Sequence, residues 1–267
     1  MKVEVLLATM HRENYDILKE LNIKTDITVI NQTNQDSFEK FELFGKRVLW
    51  INSKSRGLSK SRNDAIYNAE KDICLLADDD MIYRDGYEDV VLDAFKNNPN
   101  ADIIVFGIKS IESKQLVGLK TIKTERINYH KIMKACSVQL GLKVNSIKNH
   151  NLRYNEQVGP GGRYNMGDEN IFLTGCCKKG LIFYSCPSVI ADLHTEDSSW
   201  FKGYTEKYLF DRGAILGGMS RYLSYLFIIR FALKNYKQYS SNYTMLNAIR
   251  IMLKGRKDFV KYVGYEQ

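Results

Sequence analysis

The chain has 267 residues, 44% hydrophobic and 26% charged, with a formal net charge of +8. That balance suits a folded protein with a sizeable core and excludes a disordered, collagen-like or low-complexity chain. Five cysteines, an odd number without CxxC spacing, exclude a disulfide framework or a zinc module and read as reduced thiols.

The opening MKVEVLLATMHRENYD lacks the pattern of a secretory signal, because its apolar run is short and charges follow it. The run then reads as a strand, VEVLLAT (3–9). A short helix near 14–21 follows, then the strand DITVINQ (26–32) and a weaker helix near 36–44. Next come the strand RVLWIN (47–52), a clear helix at 58–70, the strand DICLLA (72–77), a helix at 87–97 and the strand ADIIVFGI (101–108). Strands alternating with helices predict an α/β fold, with a mainly parallel sheet flanked by helices.

Polar residues gather at one place in these units. Thr9, Asn31, Asn52 with Ser53, and Asp78, Asp79 and Asp80 all stand at C-terminal strand ends, the edge where open parallel sheets bind ligands. Three adjacent carboxylates repel one another, and a divalent cation relieves that cost. Oxygen-only ligands suit Mn²⁺ or Mg²⁺, ions that keep waters and bridge to phosphates. On an extended stretch Asp78 and Asp80 point the same way, so Asp80 is the expected principal metal ligand and Asp78 its helper or a ribose contact. A solvated acidic turn fits the triplet equally. The helix at 58–70 begins with Gly57 and Ser59 and places Lys60 and Arg62 in its first turn. Cations oppose the helix dipole there, and a bound phosphate removes the conflict.

With these segments in view, VEVLLATM, VINQTNQDSF and GLSKSRNDAIYNAEKDICLLADDDMIY resemble, in order and spacing, the N-terminal half of family 2 glycosyltransferases with the GT-A fold. The likeness covers about residues 1–110. It implies a Rossmann-like nucleotide-sugar domain, with Ala8, Thr9, Asn31, Arg62, Asp78 and Asp79 around the nucleotide and a UDP-sugar as donor. Asn31-Gln32 stands where the family commonly has two aspartates. An asparagine amide still offers a donor and an acceptor to a pyrimidine edge.

Sugar transfer also needs a base for the acceptor hydroxyl. The segment GPGGRYNMGDENIFL (159–173) runs from a glycine-rich loop, expected to act as a lid, into a helix start carrying Asp168 and Glu169. It resembles the family's Gly-Glu-Asp motif with the acids exchanged, which makes Glu169 the expected base and Asp168 the alternative. Acids at a helix N-terminus also serve the dipole alone. His194, closing a later strand, is carried over as a further metal ligand, and a solvated surface histidine fits it as well. The implied reaction is a single inverting displacement onto a glycan acceptor, lipid-linked in surface-polysaccharide enzymes of this kind (capsule, exopolysaccharide, O-antigen). A nucleotidyltransferase would want a glycine-rich phosphate loop after the first strand, which LLATMHRENYD lacks. A non-catalytic binding module would have lost the acids, which are all present.

Residues 201–267 carry 12 Lys and Arg against 4 Asp and Glu, the whole net charge, and 14 of the 31 aromatics. The chain therefore divides into an expected catalytic region, 1–200, and a basic aromatic helical region, 201–267. Tyr222, Tyr225, Leu226, Ile229, Leu233 and Tyr236 share one helical face. Two readings stay open: an interfacial helix on an anionic membrane, or a helix packed on the catalytic region. The apolar run 222–233 is shorter than the roughly 20 residues of a membrane span, and Arg230 interrupts it. The expected location is cytoplasmic, free or peripheral at the inner face of the membrane. Nucleic acid is excluded as a partner, since no aromatic RNA motif or zinc module accompanies the charge.

Overall fold

The computed structural model describes residues 1–195, 201 and 203–264. In chain order the elements begin with β1 Val3–Met10, α1 Ile17–Glu20, β2 Asp26–Gln32, β3 Ser37–Leu43, β4 Lys46–Ser53, α2 Leu58–Asn68, β5 Ile73–Asp78 and β6 Met81–Tyr83. They continue with α3 Tyr87–Asn97, β7 Ile103–Ser110, β8 Glu125–Ile127, α4 Tyr129–Ile132, β9 Leu140–Lys143 and α5 Val144–Asn149. Last come α6 Asp168–Lys178, β10 Phe183–Leu193, α7 Glu206–Met219, α8 Ser224–Tyr239 and α9 Met245–Tyr262.

The strands form one sheet in the order β3-β4-β2-β1-β5-β9-β7-β10-β6, with β8 also on β10. β1 pairs in parallel with β2 and β5, β2 with β4, and β7 with β10. β9 runs antiparallel between β5 and β7, so those two point the same way. Six strands therefore share a direction, as the alternation of strand and helix predicts. Val3, Val5 and Leu7 of β1 enter one hydrophobic layer and Leu6 the other, the two-sided burial of a central parallel strand. Glu4, on the same face as Leu6, is fully buried. It accepts from Thr28 Oγ1 and Arg47 and from the backbone amides of Glu70 and Lys71, which removes the cost of an unpaired charge.

One element differs in kind. The segment expected to be helical near 36–44 is the edge strand β3, antiparallel to β4. Phe44 and Gly45 both have positive φ, 51° and 71°, which makes a two-residue hairpin. Pairing with β4 overrides the helix propensity of Glu and Lys in SFEKFEL, and Phe41 and Leu43 pack on the core.

The boundary expected at residue 200 lies outside the described residues. Beyond it, α7, α8 and α9 pack on one another. They are not isolated from the sheet region: Ala214, Ile215 and Phe259 share a core with Val158, Tyr164 and Ile171. α7 and α9 meet backbone to backbone. A Cβ on Gly213 would stand 1.9 Å from the Met252 carbonyl oxygen, and one on Gly255 1.9 Å from that of Phe210. Gly255→Ala should therefore cost about 1–3 kcal/mol by overpacking, measured by urea denaturation. A change within about 0.5 kcal/mol, the range of ordinary surface substitutions, would mean that the helices separate freely.

Candidate active site

The strand register brings the polar edge together. Ala8 stands opposite Ile30 and Asp78, Thr9 opposite Asn31, Asn31 opposite Asn52, and Gln32 opposite Ser53. Ala8 is buried, so any contact it makes is through backbone. Asn31 is fully buried and both of its amide hydrogens are used. Its Nδ2 donates to the Arg12 carbonyl and to Asn52 Oδ1, each at 2.8 Å, and its Oδ1 accepts from the Arg12 amide at 3.1 Å. Both donors of the Asn31 amide are thus spent on holding the turn after β1 and its link to Asn52, and only its oxygen keeps a lone pair for a pyrimidine edge.

That turn places Arg12, which the sequence reading passed over. Its Nε donates to Thr9 Oγ1 at 3.2 Å and its Nη2 to Asp79 Oδ2 at 3.1 Å, while Thr9 Oγ1 donates to the same Asp79 oxygen at 2.7 Å. Thr9 and Asp79 are therefore engaged with each other and with Arg12. Arg12 also walls a cleft of about 520 Å³ over the ends of β1, β2 and β4, together with His11, Tyr15, Glu39, Trp50 and Asn52. Tyr15 meets Trp50 edge-on with centroids 5.0 Å apart, and its hydroxyl donates to Glu39 at 2.8 Å. The cleft offers aromatic faces and amide groups, the chemistry that holds a flat heterocycle. Its signal in the sequence was an aromatic residue closely following the first strand.

Arg62 is the hub of the acidic side. It is buried, with Nη1 donating to Asp168 Oδ2 at 2.5 Å and Nη2 3.1 Å from both oxygens of Asp78. Its guanidinium lies 5.5 Å from the ring centre of Tyr154. Burial alone would weaken its protonation, but Asp78 and Asp168 outweigh that and hold it firmly charged. Arg62 was expected to face a diphosphate. Here its charge is balanced by two carboxylates, and it ties the end of β5 to the start of α6.

The same pairing separates the two candidate bases. Asp168 is buried in its ion pair. Glu169, next along α6, makes no ion pair among the described residues. Desolvation and the adjacent Asp168 charge push its carboxyl up to about 8, with Arg62 opposing. A carboxylate in that range is suited to accept a proton near neutral pH.

At the strand end, Asp80 is pushed up to about 6, first by partial burial and then by the charges of Asp78 and Asp79. The backbone amide of His194 donates to the Asp80 carbonyl at 2.9 Å, since Leu193 pairs with Met81. The His194 Nδ1 lies 3.1 Å from Glu112 Oε1, which leaves Nε2 uncommitted by that contact. Among the described residues no three His, Cys, Asp or Glu side chains converge to hold a metal ion. Asp78, expected as a ligand, already faces Arg62 with both oxygens. The donors present therefore do not make a closed cage. They fit the open arrangement in which one or two protein ligands hold an ion whose other partners are phosphate oxygens and water.

Two expectations about the surrounding loops change. The start of α2 is covered, because the Leu58 amide donates to the Pro160 carbonyl at 3.0 Å and Ser59 Oγ to the Val158 carbonyl at 2.6 Å. The glycine-rich loop expected to be a lid is seated on that helix end, so close that a Cβ on Gly161 would stand 2.8 Å from the Gly57 Cα. The stretch between this loop and α6 is gripped from the C-terminal helices. Asp258 accepts from Arg163 at 2.9 and 3.0 Å and from the Tyr164 hydroxyl at 2.8 Å. Asp211, fully buried, accepts from the Asn165 amide and from Lys207.

No family model matches the chain. Solved structures do. S. aureus TarS 1–349 in complex with UDP-GlcNAc superposes with a TM-score of 0.68 at 11% identity, covering 98% of this chain and 81% of that one. The same protein in complex with UDP gives 0.64 at 11% identity, covering 99% and 89%. The chain has the GT-A fold. The helices α7–α9 fall within the superposed length, so this GT-A chain matches TarS beyond the sheet. Among curated proteins, the glucosyl-dolichyl phosphate glucuronosyltransferase of Haloferax volcanii is 25% identical over 113 residues, 38% of this chain and 36% of the relative. The match thus spans about a third of that relative's length.

Proposed function

We propose that the protein is a metal-dependent inverting glycosyltransferase of the family 2 kind, moving a sugar from a UDP-sugar to a hydroxyl of a lipid-linked glycan. The observation that carries this reading is the pair at the start of α6. Asp168 is held by Arg62, which also holds Asp78 at the end of β5, and Glu169 beside Asp168 is left with a raised carboxyl and no ion pair among the described residues. Support for the donor comes from the GT-A fold and from neighbours solved with UDP and UDP-GlcNAc. The H. volcanii relative is named for glucuronosyl transfer and for a dolichyl phosphate, which supports a lipid-linked acceptor. Synthesis of a surface polysaccharide is the setting we infer.

The cleft beside Tyr15 and Trp50 takes the nucleoside, and Arg12 stands between it and Asp79. Asp80, with His194 Nε2, would hold Mn²⁺ or Mg²⁺, which supplies charge neutralisation for a departing diphosphate. Glu169 takes the proton from the acceptor hydroxyl. That oxygen bonds to the anomeric carbon from the face opposite the leaving group, and the carbon–oxygen bond to UDP breaks with its electron pair. Arg62 and Asp168 keep Glu169 at this point and take no proton.

Incubation with radiolabelled UDP-sugars should release UDP in Mn²⁺ and stop with EDTA. Asp80→Ala should fall by about 10²–10³-fold, the value of a metal worth several kcal/mol. Release that ignores EDTA removes the metal from the mechanism. No release from any UDP-sugar removes the transferase.

A further inference from the structure

Helix α8 leaves an apolar stripe in solvent. Its buried side, Ser224, Ile228, Ala232 and Tyr239, packs toward α7 and α9. The other side carries Tyr225, Leu226, Ile229, Leu233 and Tyr236, with Tyr222 in the turn ahead. These six side chains are between 38% and 77% exposed. At 3.6 residues per turn they fall in an arc of about 100°, the width that a core-facing helix normally hides. Of the two readings left open by the sequence, packing therefore accounts only for the opposite face, and there against α7 and α9.

The charges beside the stripe select its occupant. Arg230, Lys234 and Lys237 are exposed along one flank, and Arg230 and Lys234 border a shallow depression of about 470 Å³ with Leu226, Ile229 and Leu233. Between residues 221 and 257 there are eight Lys or Arg and no Asp or Glu. A second copy docking through the same face would bring two basic flanks together without a counter-charge. An anionic bilayer supplies both needs, acyl chains for Leu226, Ile229 and Leu233 and acidic headgroups for the cations. Tyrosines suit the boundary between them, with an apolar ring and a polar tip.

We propose that α8 lies flat in the headgroup layer of an anionic membrane, with this stripe immersed. The proposal deepens the lipid-linked acceptor reading and rests on it for its purpose, while the binding itself is independent of catalysis. No described helix is long and apolar enough to cross a membrane, which fits a helix lying in the surface. Helices α7 and α9, on which α8 packs, also grip the stretch leading to Glu169, so a docked α8 would hold the site near the layer where a lipid-linked acceptor ends.

Flotation of the full chain with vesicles decides it. The protein should float with equimolar phosphatidylcholine and phosphatidylglycerol, far less with phosphatidylcholine alone, and less as salt rises. Ile229→Asp/Leu233→Asp should weaken flotation by at least about tenfold. Its melting curve and its UDP release in vesicle-free solution should match the unaltered protein. Equal flotation of the two proteins overturns the proposal. So does a dimer in the unaltered protein that the variant splits, with no flotation by either. A protein that releases UDP but never floats loses this proposal alone. One that floats but releases no UDP from any sugar nucleotide loses the transferase reading alone.

Discussion

Glu169→Gln should lower the transfer rate by about 10²–10⁴-fold while leaving UDP affinity within about twofold, because it removes a general base and little volume. The glutamine keeps the side-chain shape at the start of α6 but cannot take a proton. Equilibrium binding of UDP and single-turnover transfer separate the two effects. Full transfer by this variant would free Glu169 from the role. Asp168 would be a poor substitute, since Arg62 already holds its carboxylate.

The same residue predicts two pH effects. A carboxyl raised to about 8 is mostly protonated at neutral pH, so kcat/KM should climb with pH and level off above about 8. Stability should move the other way. In the unfolded chain Glu169 ionises near its ordinary 4.5, so between about 4.5 and 8 the folded protein holds the extra proton. Its contribution is fully present below 4.5 and is lost as pH rises through about 8. Glu169→Gln should flatten that part of the stability profile. A wild-type profile that rises steadily across the window would contradict the raised value.

Arg62→Met should be the most damaging single change to stability. Methionine matches much of the volume but leaves Asp168 buried, and Asp78 half-buried, without their cation. Breaking a buried pair from one side costs about 3–5 kcal/mol. Urea denaturation should read that loss, and Arg62→Met/Asp168→Asn should recover part of it, since an amide is cheaper to bury than an unpaired carboxylate. A loss below about 1 kcal/mol, the value of an exposed pair, would mean that water reaches these groups freely.

The sheet was legible because its strands are short apolar runs, and five of them fall within two residues of where VEVLLAT, DITVINQ, RVLWIN, DICLLA and ADIIVFGI place them. Such runs need two covered faces, whatever lies around them. The hairpin strand β3 was misread because an edge strand with Glu and Lys has no apolar signature, and Phe44-Gly45 is a modest turn signal. The convergence of polar strand ends was also legible, since direction and register follow from the alternation. What each polar group touches was not. Asn31 and Arg62 were read as ligand contacts from their position, and both are occupied by partners distant in sequence, Arg12 and Asn52 in one case and Asp168 in the other. The resemblance ranked Glu169 ahead of Asp168, but the pairing of Arg62 with Asp168 was not legible, because it joins residues 106 positions apart.

Asp211 and Asp258 come from α7 and α9, yet their oxygens fasten Arg163, Tyr164 and Asn165, a few positions ahead of Glu169. A chain cut after the sheet would leave that segment without these side-chain anchors, and would uncover the faces of Val158, Tyr164 and Ile171 that pack on Ala214, Ile215 and Phe259. The C-terminal helices thus serve as the brace of the segment that enters α6, and a chain ended before Phe259 should lose that brace.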